Sequence, residues 1–135
     1  MAIDERAPVP PYRIILVDDD PDIRAIFGQA LRDSGRAVST AANANEGLDQ
    51  LGEPPRPAML ITDVDLGPGA NGLQLADHMK IRFPHVPIIL ISGQWDEDIQ
   101  NPGIPEAVVL RKPFRVQELL TLVAQYLPSL HPSPT

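Results

Sequence analysis

Four apolar runs in this chain end on polar side chains of different chemical kinds. Ile14-Ile15-Leu16-Val17 leads into Asp18-Asp19, Met59-Leu60-Ile61-Thr62 into Asp63, Ile88-Ile89-Leu90-Ile91 into Ser92, and Val108-Val109-Leu110-Arg111 into Lys112. In an open parallel sheet such run ends meet in one crevice at the carboxyl edge. Two carboxylates ~4 Å apart repel by roughly 4 kcal/mol at an effective dielectric of ~20. Asp18, Asp19 and Asp63 together therefore need a raised pKa, a cation, or both. All-oxygen donors with positions left open suit Mg²⁺, with Mn²⁺ as a substitute.

An aspartate can also accept a phosphoryl group as an acyl phosphate. Catalysis of that transfer is mostly positioning and neutralisation of charge on the equatorial oxygens. The cation, the Lys112 ammonium and the Ser92 hydroxyl with nearby backbone N–H groups could supply it. Asp63 is the best acceptor because its strand is central. Each residue alone has a blander reading: Asp18-Asp19 as a cap beside a solvated loop, Ser92-Gly93 as a turn, Lys112 as a surface charge. Asp20 reads as a helix cap because Pro21 follows it. Coincidence at four run ends favours the chemical reading.

The elements that must position these groups are legible from the pattern. Ile23, Ile26, Phe27, Ala30 and Leu31 repeat at helical spacing after Asp20-Pro21, and Gly35 closes that helix. Residues 37–41 read as a weak strand, and Asn43 caps a helix through Leu51 that Gly52 and the prolines end, with Pro54, Pro55 and Pro57 marking the connection that follows. Asn71-Gly72 opens a helix with Leu75 and Met79 inward, ended by Pro84. Trp95 to Gln100 could form only a short fourth helix, because Pro102, Gly103 and Pro105 follow. Val116, Leu119, Leu120, Val123, Tyr126 and Leu127 share one face of the last helix. Alternating strands and helices, with strands apolar throughout, imply an α/β doubly wound five-stranded parallel sheet, flavodoxin-like in order 2-1-3-4-5.

The bulk properties fit one domain. The chain has 135 residues, 43% of them hydrophobic, which allows a sizeable core. A net charge of −7 argues against nucleic acid as a partner. There is no Cys, which excludes disulfides and thiolate chemistry. No run reaches the ~20 apolar residues of a membrane helix, and Met1 to Glu5 lack signal-peptide character. A cytoplasmic protein without membrane contact is expected. Prolines concentrate in a lead, 1–11, and a tail, 128–135, around an ordered domain over 12–127.

The motifs Ile-Leu-Val-Asp-Asp-Asp-Pro (15–21), Leu-Ile-Thr-Asp-Val-Asp-Leu (60–66), Asn71-Gly72, Ile-Leu-Ile-Ser-Gly (89–93) and Arg-Lys-Pro-Phe (111–114) occur in this order. With them the chain resembles the receiver domain of two-component response regulators over nearly its whole ordered length. The resemblance implies that Asp63 accepts phosphate from a histidine kinase or histidine phosphotransfer protein. It implies Mg²⁺ on the carboxylates of Asp19 and Asp63 and the main-chain carbonyl of Asp65, with Asp18 acting mainly through water. Asp65 and Gln94 flank the phosphoryl group in the family, and their side chains are expected to tune attack of water on it. The bond matching Lys112-Pro113 is usually cis.

Two departures concern the output. The family's aromatic switch position is Val109 here, which cannot swing between rotamers as Tyr or Phe does. The segment of the fourth helix is interrupted by proline. The loop 67–72 is also one residue longer than the common pattern and reads as a rim over the site. Signalling is expected through a downstream protein partner, since the eight residues after Leu127 are too few for an output domain. Two rivals are a pseudo-receiver that binds partners without phosphorylation, and a small phosphatase resembling the haloacid dehalogenase superfamily. The complete site opposes the first; the second needs a downstream acidic motif, and Glu118 is the only acidic residue after Lys112.

Overall fold

The central strands are apolar at successive positions because helices cover both faces of the sheet. The computed structural model of the chain describes residues 12–67, 71–93 and 107–127. Its elements are β1 (Tyr12–Val17), α1 (Pro21–Asp33), β2 (Val38–Ala41), α2 (Ala44–Leu51), β3 (Arg56–Asp63), α3 (Gly72–Arg82), β4 (Ile88–Ser92), β5 (Val108–Arg111) and α4 (Val116–Tyr126). All strand pairs are parallel, in the order β2-β1-β3-β4-β5. Ile14, Leu16, Met59, Ile61, Ile89 and Ile91 pack against Phe27 and Leu31 of α1 and Leu119 and Val123 of α4. The alternate residues Ile15, Val17, Leu60 and Leu90 face the other layer, with Leu51 of α2 and Leu75, Ala76 and Met79 of α3. Period-two alternation thus divides the core instead of separating core from solvent.

Local signals set the helix ends. Asp20 Oδ1 accepts from the N–H groups of Asp22 and Ile23, with Pro21 in the first turn of α1. Asn43 caps α2 through the Glu46 N–H. Asn71 and Gln74 form a reciprocal capping box at α3, where Asn71 Oδ1 accepts from Gln74 N–H at 2.9 Å and Gln74 Oε1 from Asn71 N–H at 2.8 Å.

Three details correct the sequence reading. Pro57 lies within β3 rather than in the connection before it: Arg13 pairs with Pro57 and Ile14 with Met59, so Ala58 is an extra residue opposite β1. An irregularity of this kind is where a strand tolerates a residue with no N–H to donate. Ile26 and Tyr126, expected inward, are 54% and 45% exposed. Each lies at the margin of a stripe whose centre, Phe27 with Leu31 or Leu119 with Val123, already meets the sheet. The short fourth helix expected at 95–100, and the lead and tail, lie outside the described residues.

Candidate functional site

Backbone bonds carry the ladder past the strand ends and fix where the polar groups emerge. Asp18 N–H donates to Ala41 O at 3.1 Å, Val64 N–H to Ile91 O at 2.9 Å, and Lys112 N–H to Ser92 O at 2.8 Å. Asp18, Asp19 and Asp63 are thereby brought together, with one carboxylate oxygen from each within 4.8 Å of the others. Lys112 Nζ donates to Asp63 Oδ2 at 2.8 Å, joining groups 49 residues apart. The Lys112–Pro113 bond is cis.

A repeated local device sets the carboxylate poses. After β1, Asp18 Oδ1 accepts from Asp20 N–H at 2.9 Å, and Asp20 Oδ1 from Asp22 N–H at 2.9 Å. After β3, Asp63 Oδ1 accepts from Asp65 N–H at 3.1 Å, and Asp65 Oδ1 from Gly67 N–H at 3.1 Å. These are tandem Asx turns, in which a short carboxylate takes the N–H two residues on. They leave the second oxygen of Asp18 and of Asp63 for the site.

Asp18 is 2% and Asp63 5% exposed. Burial pushes both carboxyls above the ordinary range, against the opposing pull of the Asp20 N–H on Asp18 and of Lys112 on Asp63. Burial alone would lower the Lys112 ammonium, but the hydrogen bond and charge of Asp63, backed by Asp18 and Asp19, leave it raised. Asp18 Oδ2 is buried with no hydrogen-bond partner. A buried carboxylate oxygen without a donor is costly unless a cation or water meets it. The donors present therefore fit a hard divalent cation: all are oxygens, and one of them lacks a partner.

The other expected residues are less converged. Ser92 is buried, and its hydroxyl donates to Gly93 O at 2.9 Å. Val109 is half-buried against the core layer under α2 and α3, opposite Leu90 in the β4–β5 register. Asp65 is exposed, and its carboxylate is engaged by Gly67. Gln94 and Trp95 lie outside the described residues.

Three contacts were not foreseen. A Cβ built on Gly72 would fall 2.1 Å from Asp63 O and 3.0 Å from Thr62 Oγ1, so only glycine lets α3 begin against the Asp63 backbone. Thr62 Oγ1 donates to that same Asp63 O at 2.9 Å. Arg24 Nη1 donates to Asp18 O at 2.7 Å, tying α1 to the end of β1. The Asp-x-Asp spacing at 18–20 and 63–65 was a readable signal for the paired turns; the other contacts had none.

A parallel sheet in this order, with an acidic cluster facing a lysine across its carboxyl edge, is the architecture of a CheY-like signalling domain. The chain belongs to the response regulator receiver domain family, whose family model matches residues 14–124. It is 31% identical over 122 residues to the nitrogen assimilation regulatory protein NtrX of Azorhizobium caulinodans, covering 88% of this chain and 27% of that protein. It is 34% identical over 110 residues to the DNA-binding transcriptional regulator NtrC of Klebsiella pneumoniae, covering 80% and 23%. The chain thus spans about a quarter of the length of these curated relatives. Among solved structures, a response regulator receiver protein from Sinorhizobium medicae superposes with a TM-score of 0.79 at 27% identity, over 87% of this chain and 95% of that one. The receiver domain of NtrX from Brucella abortus gives 0.73 at 29% identity, over 84% and 97%. Receiver domains act in two-component signalling rather than as conventional enzymes. No helix among the described residues is long and apolar enough to cross a membrane.

Proposed function

We propose that this chain accepts a phosphoryl group on Asp63 from the phosphohistidine of a histidine kinase or histidine phosphotransfer protein, in a Mg²⁺-dependent reaction. The observation that carries this reading is the pose of Asp63: Lys112 bonds one oxygen, the Asp65 N–H the other, and Asp18, whose Oδ2 has no partner, belongs to the same carboxylate cluster. In the transfer, an Asp63 carboxylate oxygen forms the new P–O bond as the P–N bond to the imidazole breaks. The imidazole nitrogen keeps the electron pair. Lys112 then turns its donation from Asp63 Oδ2 toward a phosphoryl oxygen, and Ser92 turns its hydroxyl from Gly93 O toward another. Asp19, Asp63 and the Asp65 main-chain carbonyl, with Asp18 through water, would hold Mg²⁺, which would supply neutralisation of phosphoryl charge.

Asp65 and Gln94 are assigned to tuning hydrolysis of the acyl phosphate; an unchanged dephosphorylation rate after exchanging both would remove that role. Output is assigned to protein contacts rather than to nucleic acid, in keeping with the net charge of −7. With Val109 in the place of an aromatic switch, the signal leaves by a modified route. The setting is the cytoplasm, where the kinase's phosphohistidine is made.

The test is incubation with acetyl phosphate and Mg²⁺ followed by mass spectrometry. A Mg²⁺-dependent gain of one phosphoryl group, absent in Asp63→Ala, is expected. No modification even with a cognate kinase would make the chain a pseudo-receiver.

A further inference from the structure

Asp65 is exposed, yet its surroundings pin it at three points. Its N–H donates to Asp63 Oδ1 at 3.1 Å, its carboxylate accepts from Gly67 N–H at 3.1 Å, and the next residue, Leu66, is buried in the core layer under α2 and α3. An Asx turn restricts both the side-chain rotamer and the backbone torsion that aims the residue's own carbonyl. Gly67 completes the turn at φ +82°, a conformation that suits glycine, and a Cβ built there would come 4.0 Å from Asp19 Oδ2. The segment 63–67 therefore runs from the acceptor, through two linked turns, toward Asp19 in the segment that follows β1.

We propose that the Asp65 carboxylate is a positioning group for the divalent cation: through its bond to Gly67 N–H it aims the Asp65 main-chain carbonyl and holds the loop after β3 against Asp19. This deepens the Mg²⁺-dependent reading and rests on it. The role differs from charge tuning of hydrolysis, because it needs an acceptor oxygen at position 65 and no negative charge. Asp65→Asn keeps the acceptor and loses the charge, whereas Asp65→Ala loses both. Gly67→Ala disturbs the turn from its other end with Asp65 intact. Groups that orient metal ligands from behind change affinity by about 10- to 100-fold when removed, while loss of one exposed, screened charge does much less.

The experiment is calorimetric titration of the unphosphorylated protein with Mg²⁺, alongside thermal melts in chelator. The wild type is expected to bind, D65N to bind within about threefold of it, and D65A and G67A to weaken by about tenfold or more, with the Asp65 variants melting like the wild type and G67A lower because of its positive φ. If D65A melts early, Asp65→Ser replaces it; its hydroxyl forms the same turn more weakly, so an intermediate loss is expected. D65A, or D65S in its place, equal to wild type overturns the proposal, and so does D65N as weak as D65A, which assigns the effect to charge. A wild type that takes up no Mg²⁺ overturns the functional reading and the proposal with it. Normal wild-type binding with unaffected variants overturns the proposal alone.

Discussion

Asp18 and Asp63 hold one pose at the ends of neighbouring strands: in each, Oδ1 accepts from the main-chain N–H two residues on, at 2.9 and 3.1 Å. Their second oxygens then have opposite fates. Asp63 Oδ2 meets Lys112 at 2.8 Å, whereas Asp18 Oδ2 is buried without a hydrogen-bond partner. Burial outweighs the favourable contacts at both carboxylates, but only Asp63 has a hydrogen-bonded cation; the second oxygen of Asp18 has no donor. The arrangement disfavours stability there and favours uptake of a cation.

Asp18→Asn is expected to stabilise the metal-free protein at neutral pH by about 1 kcal/mol, the low end of what an unsatisfied buried polar group costs. Asparagine keeps the acceptor for Asp20 N–H and removes the buried charge. The folded-state pKa of Asp18 lies above its ordinary value of 3.8, so the folded protein retains a proton that the unfolded chain has released. The native state is thus most favoured below the unfolded pKa, and this advantage is lost as pH rises through the folded pKa. The gain from Asn should accordingly be full at neutral pH and shrink as pH falls toward 3.8. Urea denaturation in chelator across that range measures it; a gain that grows on acidification would contradict the assignment.

Lys112→Ala should leave Asp63 charged, largely buried and without its cation, raising the Asp63 pKa further. Phosphorylation by acetyl phosphate is expected to fall on the order of a hundredfold, as when one charge-stabilising donor is removed. Mg²⁺ affinity should not fall, because the lost charge repelled the metal. Rates by mass spectrometry and affinity by calorimetry separate the two effects. A rate equal to wild type would take Lys112 out of the transfer.

Asp18, Asp19, Asp63, Ser92 and Lys112 were legible as candidates because each follows an apolar run, and parallel strands place such ends on one edge. Sheet order and helix caps were readable for the same reason: strand period, Asp20-Pro21 and Asn71-Gly72 are local signals. Pro57 misled because its position in β3 depends on an irregularity in pairing with β1, which no local pattern states. Ile26 and Tyr126 misled because helical spacing gives a face but not its width once the sheet is in place. The fit of Gly72 against Asp63 depends on the approach of two backbones, a distance that sequence does not encode.

Gly72→Ala should be among the most damaging small substitutions in the chain. The new Cβ would lie 2.1 Å from Asp63 O and 2.9 Å from Asp63 C, both rigid backbone atoms, so α3 or the end of β3 must move. Overpacking of this kind costs about 1–3 kcal/mol. Because the displaced atoms belong to the acceptor, phosphorylation of the folded fraction should slow as well. Chemical denaturation and single-turnover phosphorylation report the two losses; a stable variant with wild-type kinetics would show that the approach is softer than the distance implies.

At the opposite edge of the sheet, Arg13 offers a contrasting case in which stability and function should separate. Its buried guanidinium donates from Nη2 to Gln50 O at 2.8 Å and to Gln50 Oε1 at 2.9 Å, and from Nη1 to Glu53 O at 3.2 Å and to Pro55 O. Burial lowers its pKa, with Glu53 opposing, but a guanidinium stays charged in this setting. Four acceptors around the end of α2 and its exit loop are thus gathered by one side chain from β1. Arg13→Met keeps the aliphatic volume but strands those acceptors, and should cost about 2–3 kcal/mol. Arg13→Lys should recover only part of that, because one ammonium cannot span the same carbonyls. The site lies at the other end of β1, so phosphorylation of the folded variants should proceed at the wild-type rate. Equilibrium denaturation paired with acetyl phosphate kinetics tests both halves: an unchanged stability would deny the clamp, and a slowed transfer in fully folded protein would mean that the two sheet edges are coupled.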